Sequence, residues 1–136
     1  MTEENKAVVR RFYEQVLNQN RPEVAQEIVA ADFVVHGGAP GTPRGPRALT
    51  GIGERLRAGF DGSTFEIDDL VAEGDRVAVR WTMRGRHTGE YFGIPPTGAG
   101  VALHAIVIFR VVDGRLAELW PLIDHPGLIE AAASAA

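Results

Sequence analysis

The imidazoles able to move a proton near neutral pH are few in this chain and widely spaced. There are four histidines, His36, His87, His104 and His125, and no cysteine. Without cysteine there are no disulfides, thiolate metal sites or cysteine nucleophile. The histidines show no His-Glu-x-x-His or facial-triad spacing, so no metal is expected. Gly51-x-Gly53 opens no phosphate-binding loop and no Gly-x-Ser-x-Gly elbow occurs, which argues against nucleotide use and serine hydrolysis. The chemistry left is proton transfer by carboxylates and imidazoles, and the expected cofactor set is none.

Asp124 closes the run Trp120-Pro121-Leu122-Ile123-Asp124. A carboxylate set against apolar walls is disfavoured as an anion and can hold or accept a proton near neutral pH. The structural alternative is a cap on the segment that begins at Pro126, or an ion pair. His36 and His104 carry imidazoles, which titrate close to physiological pH, and either one can equally be a satisfied structural residue. His104 shares a strand face with Arg110 and could donate to a substrate carbonyl, or lie at a contact between two copies. Arg110 offers a permanent cation for an enolate, or a partner for Glu118 on the next strand. Trp81, Trp120, Tyr13, Phe33, Phe60 and Met83 supply large apolar surfaces suited to an aromatic ligand, and core packing explains them almost as well.

The elements that must position these residues follow from periodicity. Val8, Phe12 and Val16, beside Val9, Tyr13 and Leu17, recur at helical spacing, with Arg10, Arg11, Glu14 and Gln15 opposite. Thr2 can cap this helix, and Asn18-Gln19-Asn20 stops it. A short second helix carries Val24, Ile28 and Val29. Asp32 to His36 reads as a brief extended run, Gly37 to Pro46 as a Gly- and Pro-rich loop, and Leu49, Ile52, Leu56 and Phe60 as a third helical face. From Ser63 the period shifts towards two, with turns at Glu73-Gly74-Asp75, Pro95 to Gly98 and Asp113-Gly114. Strands are expected at about 64 to 72, 76 to 87, 100 to 112 and 115 to 124, paired mostly antiparallel. Alternation puts Val77, Val79, Trp81 and Met83 on one face, and groups His104, Ile106, Ile108 and Arg110, then Glu118, Trp120, Leu122 and Asp124. The alanine-rich tail from Ala131 reads as a fraying end. Helices first and a sheet after them give an α+β class, with helices covering one face of a curved sheet.

With 136 residues, of which 45% are hydrophobic, the chain reads as one domain spanning 1–136 with a sizeable core. Eighteen acids against 14 basic residues give a net charge of −4, so no basic field exists to gather nucleic acid. No leader-like start and no long apolar run is present, so neither export nor membrane spanning is expected and a cytoplasmic address fits.

The order of three stretches is distinctive: Gly74-Asp75-Arg76-Val77-Ala78-Val79-Arg80-Trp81, then Gly85 to Gly98 with its Gly-Arg-His-Thr-Gly opening, then Phe109 to Trp120 followed by Asp124. Together with Val9-Arg10-Arg11-Phe12-Tyr13 and Ala31 to His36, they cover nearly the whole chain. The chain thereby resembles the SnoaL-like polyketide cyclases of the nuclear transport factor 2-like superfamily. The resemblance implies a cone-shaped α+β barrel of helices on a strongly curved, mostly antiparallel sheet, an apolar pocket, and a homodimer formed through the sheet's outer face. It implies that Asp124 is the general acid/base of an intramolecular aldol closure. It also implies that His36 lines the pocket, where it would orient Asp124, relay a proton or bind a substrate oxygen. Pro121 departs from the family pattern and suggests an edge or bulge.

The sequence therefore predicts a cofactor-independent, cyclase-type enzyme acting on an apolar carbonyl compound through Asp124 and His36, with Trp81, Trp120, His104, Arg110, Tyr13, Phe33, Phe60 and Met83 around the substrate. Two alternatives stand beside it. One is a ketosteroid isomerase-like isomerase or an epoxide hydrolase on the same scaffold, although the Asp-Arg-Asp arrangement of the hydrolases is not visible in the spacing of Asp32, Asp68 and Asp69. The other is a non-catalytic ligand-binding or dimerisation domain.

Overall fold

The computed structural model describes residues 2–37 and 41–134. The N-terminal stripe forms α1 (Thr2–Arg11), with Glu3 and Glu4 in its first turn and Arg10 and Arg11 in its last, each sign complementing the helix dipole. Thr2, expected as its cap, is the first residue of the helix itself. The helix runs on as a π-helix over Phe12–Asn18. Phe12, Tyr13, Val16 and Leu17 are all buried there. The i→i+5 winding turns both adjacent pairs, Phe12-Tyr13 and Val16-Leu17, towards the core. The winding stops at Asn18, as the sequence indicates, and Asn20 turns the chain at φ 52°.

The second helical segment is a single 3-10 turn over Pro22–Val24 followed by α2 (Ala25–Ile28). Val29 does not belong to it: the β-branched residue opens β1 (Val29–Val35), three residues ahead of the expected run. Of the Gly- and Pro-rich loop, Gly38, Ala39 and Pro40 lie outside the described residues. Its far end returns at Gly45, whose N–H donates to the Phe33 carbonyl at 2.8 Å. At φ 80°, with Ala31 O only 2.7 Å from where a Cβ would stand, the position requires glycine. Next comes α3 (Pro46–Gly59), which starts on the proline and buries Leu49 and Leu56, its internal glycines notwithstanding.

Four long strands follow: β2 (Phe60–Glu73), β3 (Arg76–His87), β4 (Gly100–Val112) and β5 (Arg115–Ile123). Phe60, read from the sequence as the last residue of the helical face, is the first of β2. A C-terminal helix, α4 (His125–Ser134), stands where a fraying tail was expected. Leu128 anchors it, with only 1% of its surface exposed; Ala135 and Ala136 lie outside the described residues. The sheet order is β1-β5-β4-β3-β2, antiparallel throughout except for β1, which runs parallel to β5.

Alternation along β3 and β4 decides where the core sits. Val77, Val79, Trp81 and Met83 stand opposite Phe109, Val107, Ala105 and Leu103, and all eight are buried. The helical segments before β2 cover this inner face. The other face carries Arg80, Ile106, Ile108, Arg110 and Leu122 and looks outward. The result is a mixed α+β fold, helices on one side of a curved five-stranded sheet. No helix among the described residues is long and apolar enough to cross a membrane.

Two local features tie the helices and the sheet edge together. In β2, Ile67 stands opposite Trp81 and Asp69 opposite Arg80, so Asp68 is an extra residue in a β-bulge. Two residues ahead of Ile67, the Asn18 side chain at the end of the π-helix grips the backbone of Phe65. Its Oδ1 accepts from Phe65 N at 2.7 Å and its Nδ2 donates to Phe65 O at 2.9 Å. Asn18→Ala removes both bonds and should lower stability by about 1–2 kcal/mol. Urea denaturation measures this, and an unshifted midpoint would show that the clamp carries no load.

Candidate functional site

At the end of β5 the chain turns sharply into α4, and Asp124 occupies the corner. Its backbone N–H donates to His104 O at 2.8 Å, continuing the β4–β5 ladder, and its Oδ1 accepts from Gly127 N at 2.9 Å, capping α4. The cap leaves Oδ2 outside that bond. Gly127 is the residue that makes room: a Cβ there would stand 2.2 Å from Oδ2. The sequence names Asp124 as either a proton-transfer group or a cap. The structure shows the cap, and its geometry fixes the carboxylate.

Asp124 borders an open cleft of about 590 Å³. Trp81, Ala105, Ile106, Leu122, Ile123 and Pro126 give it apolar walls, and Arg80, His104 and Asp124 are the charged or titratable groups along it. Of the residues singled out in the sequence, Asp124 and His104 therefore meet in one place, and Trp81 lies beside them in β3 with its indole turned to the buried face. The indole N–H of Trp81 is buried and finds no hydrogen-bond partner among the described residues. Its ring packs on Tyr13 and Phe65, with ring centroids 6.2 and 4.9 Å away, on the buried side of the sheet.

The other residues singled out lie elsewhere. His36 lies past the end of β1, its ring stacked on Trp120 at 4.8 Å with 11° between planes, and its Nε2 is 2.9 Å from Glu118 Oε1. The Arg76 guanidinium sits 4.6 Å from the same indole. Arg110 is hydrogen-bonded through Nε to Glu118 Oε2, and its Nη1 lies 3.8 Å from Asp75 Oδ2. Arg110 first, then His36, hold the Glu118 carboxyl below the usual carboxylate range. So His36, Trp120 and Arg110 form a second cluster centred on Glu118, and His36 bonds Glu118 where the resemblance implied Asp124. Tyr13 lines a smaller cleft of about 350 Å³ with Arg10, Glu14, Asn18, Phe65 and Ile67, and burial drives its phenol far above the usual value. Phe33, Phe60 and Met83 are at most 1% exposed and pack in the core. No group of three or more His, Asp or Glu side chains among the described residues is placed to hold a metal.

Sequence reasoning passed over four residues at this corner. Arg80 stands in the cleft with its Nε 2.6 Å from Asp69 Oδ2. Thr82 is 4% exposed and bonded to both Asp68 and His104. Gly127 and His125 flank the turn. His125 Nδ1 is hydrogen-bonded to the Tyr91 hydroxyl. Burial pushes that phenol up to about 12, so it is the donor and the imidazole the acceptor. Burial first, and then Arg55, lower His125 from its ordinary 6.5, against an opposing pull from Asp124.

A lowered imidazole has a definite consequence for stability. The unfolded chain binds this proton more readily than the native state, so His125 contributes stability above its unfolded value of 6.5, and that contribution is lost as pH falls below it. Thermal midpoints should therefore drop between about pH 7.5 and pH 5, and His125→Gln should flatten that slope. A variant with the wild-type slope would assign the effect to another group.

Comparison with known proteins agrees with this architecture. A model of the SnoaL-like polyketide cyclase family matches residues 7–131. The chain is 27% identical over 119 residues to the aklanonic acid methyl ester cyclase DnrD of Streptomyces peucetius, covering 84% of this chain and 81% of that protein. The crystal structure of IdmH from Streptomyces antibioticus, described as a candidate polyketide cyclase, superposes with a TM-score of 0.80 at 33% identity, covering 93% of this chain and 96% of that one. AclR of Streptomyces galilaeus, described as a candidate hydroxylase, shares the fold at a TM-score of 0.81 and 24% identity, covering 98% of this chain and 83% of that one. One architecture thus houses proteins described by different chemistries, and reaction must be argued from the site. From its N-terminal helix to its C-terminal one, this chain belongs to the SnoaL-like polyketide cyclase family.

Proposed function

We propose that the protein is a cyclase-type enzyme that closes a ring on an apolar polyketide carbonyl compound by general acid/base catalysis, with Asp124 exchanging the proton. The observation that supports this reading most is the cleft at the β5–α4 corner, where Asp124 and His104 stand together against apolar walls. Such walls bind the flat hydrocarbon part of a substrate, and few polar groups then fix its orientation. The curated relative DnrD is named for aklanonic acid methyl ester, which makes an aromatic polyketide ester of that kind the first substrate class to try.

In an aldol closure a carbon next to one carbonyl loses a proton and attacks a second carbonyl, whose oxygen must gain one. No metal or nucleotide is required for either transfer. Asp124 Oδ2, free of the cap bond, is the oxygen we assign to the exchange, while Oδ1 holds the carboxyl in place. Arg80 lies on the same cleft with its guanidinium paired to Asp68 and Asp69. The cluster of His36, Trp120, Arg110 and Glu118 does not enter this scheme.

We also propose that two copies pair through the sheet's outer face. That face exposes Val71, Ile106, Ile108 and Leu122, which are 61%, 54%, 39% and 77% accessible. Leu122 and Ile106 also line the cleft, so a second copy would add a wall to it. A non-catalytic domain would keep the pairing without the turnover. Sedimentation at micromolar concentration should show a dimer that Leu122→Glu disrupts, and a monomeric wild type would remove the pairing.

Asp124→Asn separates catalysis from folding, because asparagine caps a helix as well as aspartate does but does not carry a transferable carboxyl proton. Turnover of aklanonic acid methyl ester should fall by about 10²–10⁴-fold, with the melting temperature nearly unchanged. Product analysis by chromatography measures it. Turnover in the variant equal to wild type would take Asp124 out of the mechanism, and binding without conversion by wild type would favour the ligand-binding domain.

A further inference from the structure

The imidazole of His104 is held from behind by a chain of two hydrogen bonds whose direction can be worked out. Thr82 Oγ1 lies 2.7 Å from Asp68 Oδ2 and 3.2 Å from His104 Nδ1. A hydroxyl has one proton to give, and a carboxylate can only accept. The Arg80 guanidinium forms an ion pair with the same Asp68 oxygen at 3.7 Å. Thr82 therefore donates to Asp68, and the lone pair it turns to His104 can only accept. The proton between Thr82 and His104 must then belong to Nδ1. In the neutral ring this leaves Nε2 without a proton, carrying a lone pair, on a side chain that lines the Asp124 cleft.

Asp68 reaches Thr82 because of the bulge. A regular β2 would put the residue between Ile67 and Asp69 in the ladder with its side chain committed to one face by alternation. The extra residue lets both Asp68 and Asp69 turn to the side that carries Arg80 and Thr82. Thr82 is itself 4% exposed, so the hydroxyl at the middle of the relay is shielded from competing water.

We propose that Asp68 and Thr82 are positioning residues that lock His104 in the Nδ1–H tautomer, so that Nε2 is the base of the ring closure while Asp124 is its acid. This rests on the acid/base reading of the cleft and divides its two proton transfers. Nε2 takes the proton from the carbon next to the first carbonyl, and the C–H electron pair becomes the enolate. The enolate carbon forms the new C–C bond to the second carbonyl carbon. The π pair of that carbonyl goes to its oxygen, which takes the proton of Asp124. The imidazolium left behind is stabilised through Thr82 by the Asp68 carboxylate, and it returns its proton to Asp124 through solvent, restoring both groups.

The tautomer is read directly, without substrate, from two-bond nitrogen–proton correlations of the protein labelled with ¹⁵N-histidine. Wild-type His104 should show a protonated Nδ1 and a bare Nε2. Thr82→Val removes the acceptor at nearly constant shape and should release the ring to the Nε2–H form that free histidine prefers, whereas Thr82→Ser should keep the wild-type pattern. Asp68→Asn is the second probe, should the valine variant fail to fold. Its amide can donate to Thr82, freeing the hydroxyl to donate to Nδ1 and so reversing the tautomer. Turnover in the valine variant should fall by about tenfold to hundredfold in kcat at similar KM, and the serine variant should recover most of it. A wild-type ring protonated on Nε2, or an unchanged tautomer in both Thr82→Val and Asp68→Asn, overturns the relay. A reversed tautomer with wild-type turnover overturns His104 as the base. Loss of the acid/base reading itself shows separately, as undiminished turnover in Asp124→Asn.

Discussion

The charged groups of the central strands are arranged around a single constraint, the two-residue alternation of the paired β3 and β4. On the inner face of β3 and β4 every side chain from Val77 to Met83 and from Leu103 to Phe109 is apolar, with the buried indole N–H of Trp81 as its one polar group. No charged group can share that face without losing its hydration at a cost of several kcal/mol. Arginines, carboxylates and His104 are consequently driven to the outer face and to the strand ends. The chemistry of the chain has to be assembled there, from residues that the core excludes.

An outer face is wet and mobile unless something holds its side chains, and here irregular backbone does the holding. The β2 bulge turns Asp68 onto Thr82, where a regular strand would have spaced the two carboxylates on opposite faces. Gly127 lets the first turn of α4 close against the Asp124 carboxyl, with a gap that any Cβ would fill. The π-helix ends where Asn18 can reach the backbone of β2, two residues before the strand approaches its bulge. Each irregularity sacrifices some ideal hydrogen bonding and fixes the direction of one side chain in return.

These features also mark where sequence reading reaches its limit. The long strands were legible within a few residues, because their period and their turns at Gly74 and Gly114 are local signals. Family resemblance and periodicity together placed the helices, the sheet and the corner at Asp124. By contrast, α4 carries a weak apolar stripe and is held by Leu128 and Ile129 packing on the core, tertiary contacts that no window of sequence contains. The bulge at Asp68 is invisible for the same reason: an inserted residue shows only against the partner strand. Thr82 passed unnoticed since a threonine in a strand is ordinary until its two partners are known. The face shared by His104 and Arg110 was read correctly from alternation, yet alternation does not tell that Arg110 answers Glu118 while His104 answers Thr82.

Asp124 shows how a single carboxylate can serve fold and chemistry without conflict. A cap needs one oxygen, fixed, pointing at a backbone N–H; proton exchange needs one oxygen, exposed, pointing at a ligand. The two oxygens of a carboxyl point in different directions, and here Oδ1 is bound to Gly127 N. A protonated carboxyl keeps a carbonyl oxygen able to accept the cap bond, so changing its charge on Oδ2 need not release α4. The corner can thus pass through both protonation states with its backbone unchanged, which is the preorganisation a proton-transfer site requires. Because the helix is anchored independently by Leu128, the cap acts chiefly to aim the carboxyl. Holding the helix is its lesser task. A glycine at 127 follows from the same logic, since it is the residue that lets the backbone approach the carboxyl closely enough to bind it.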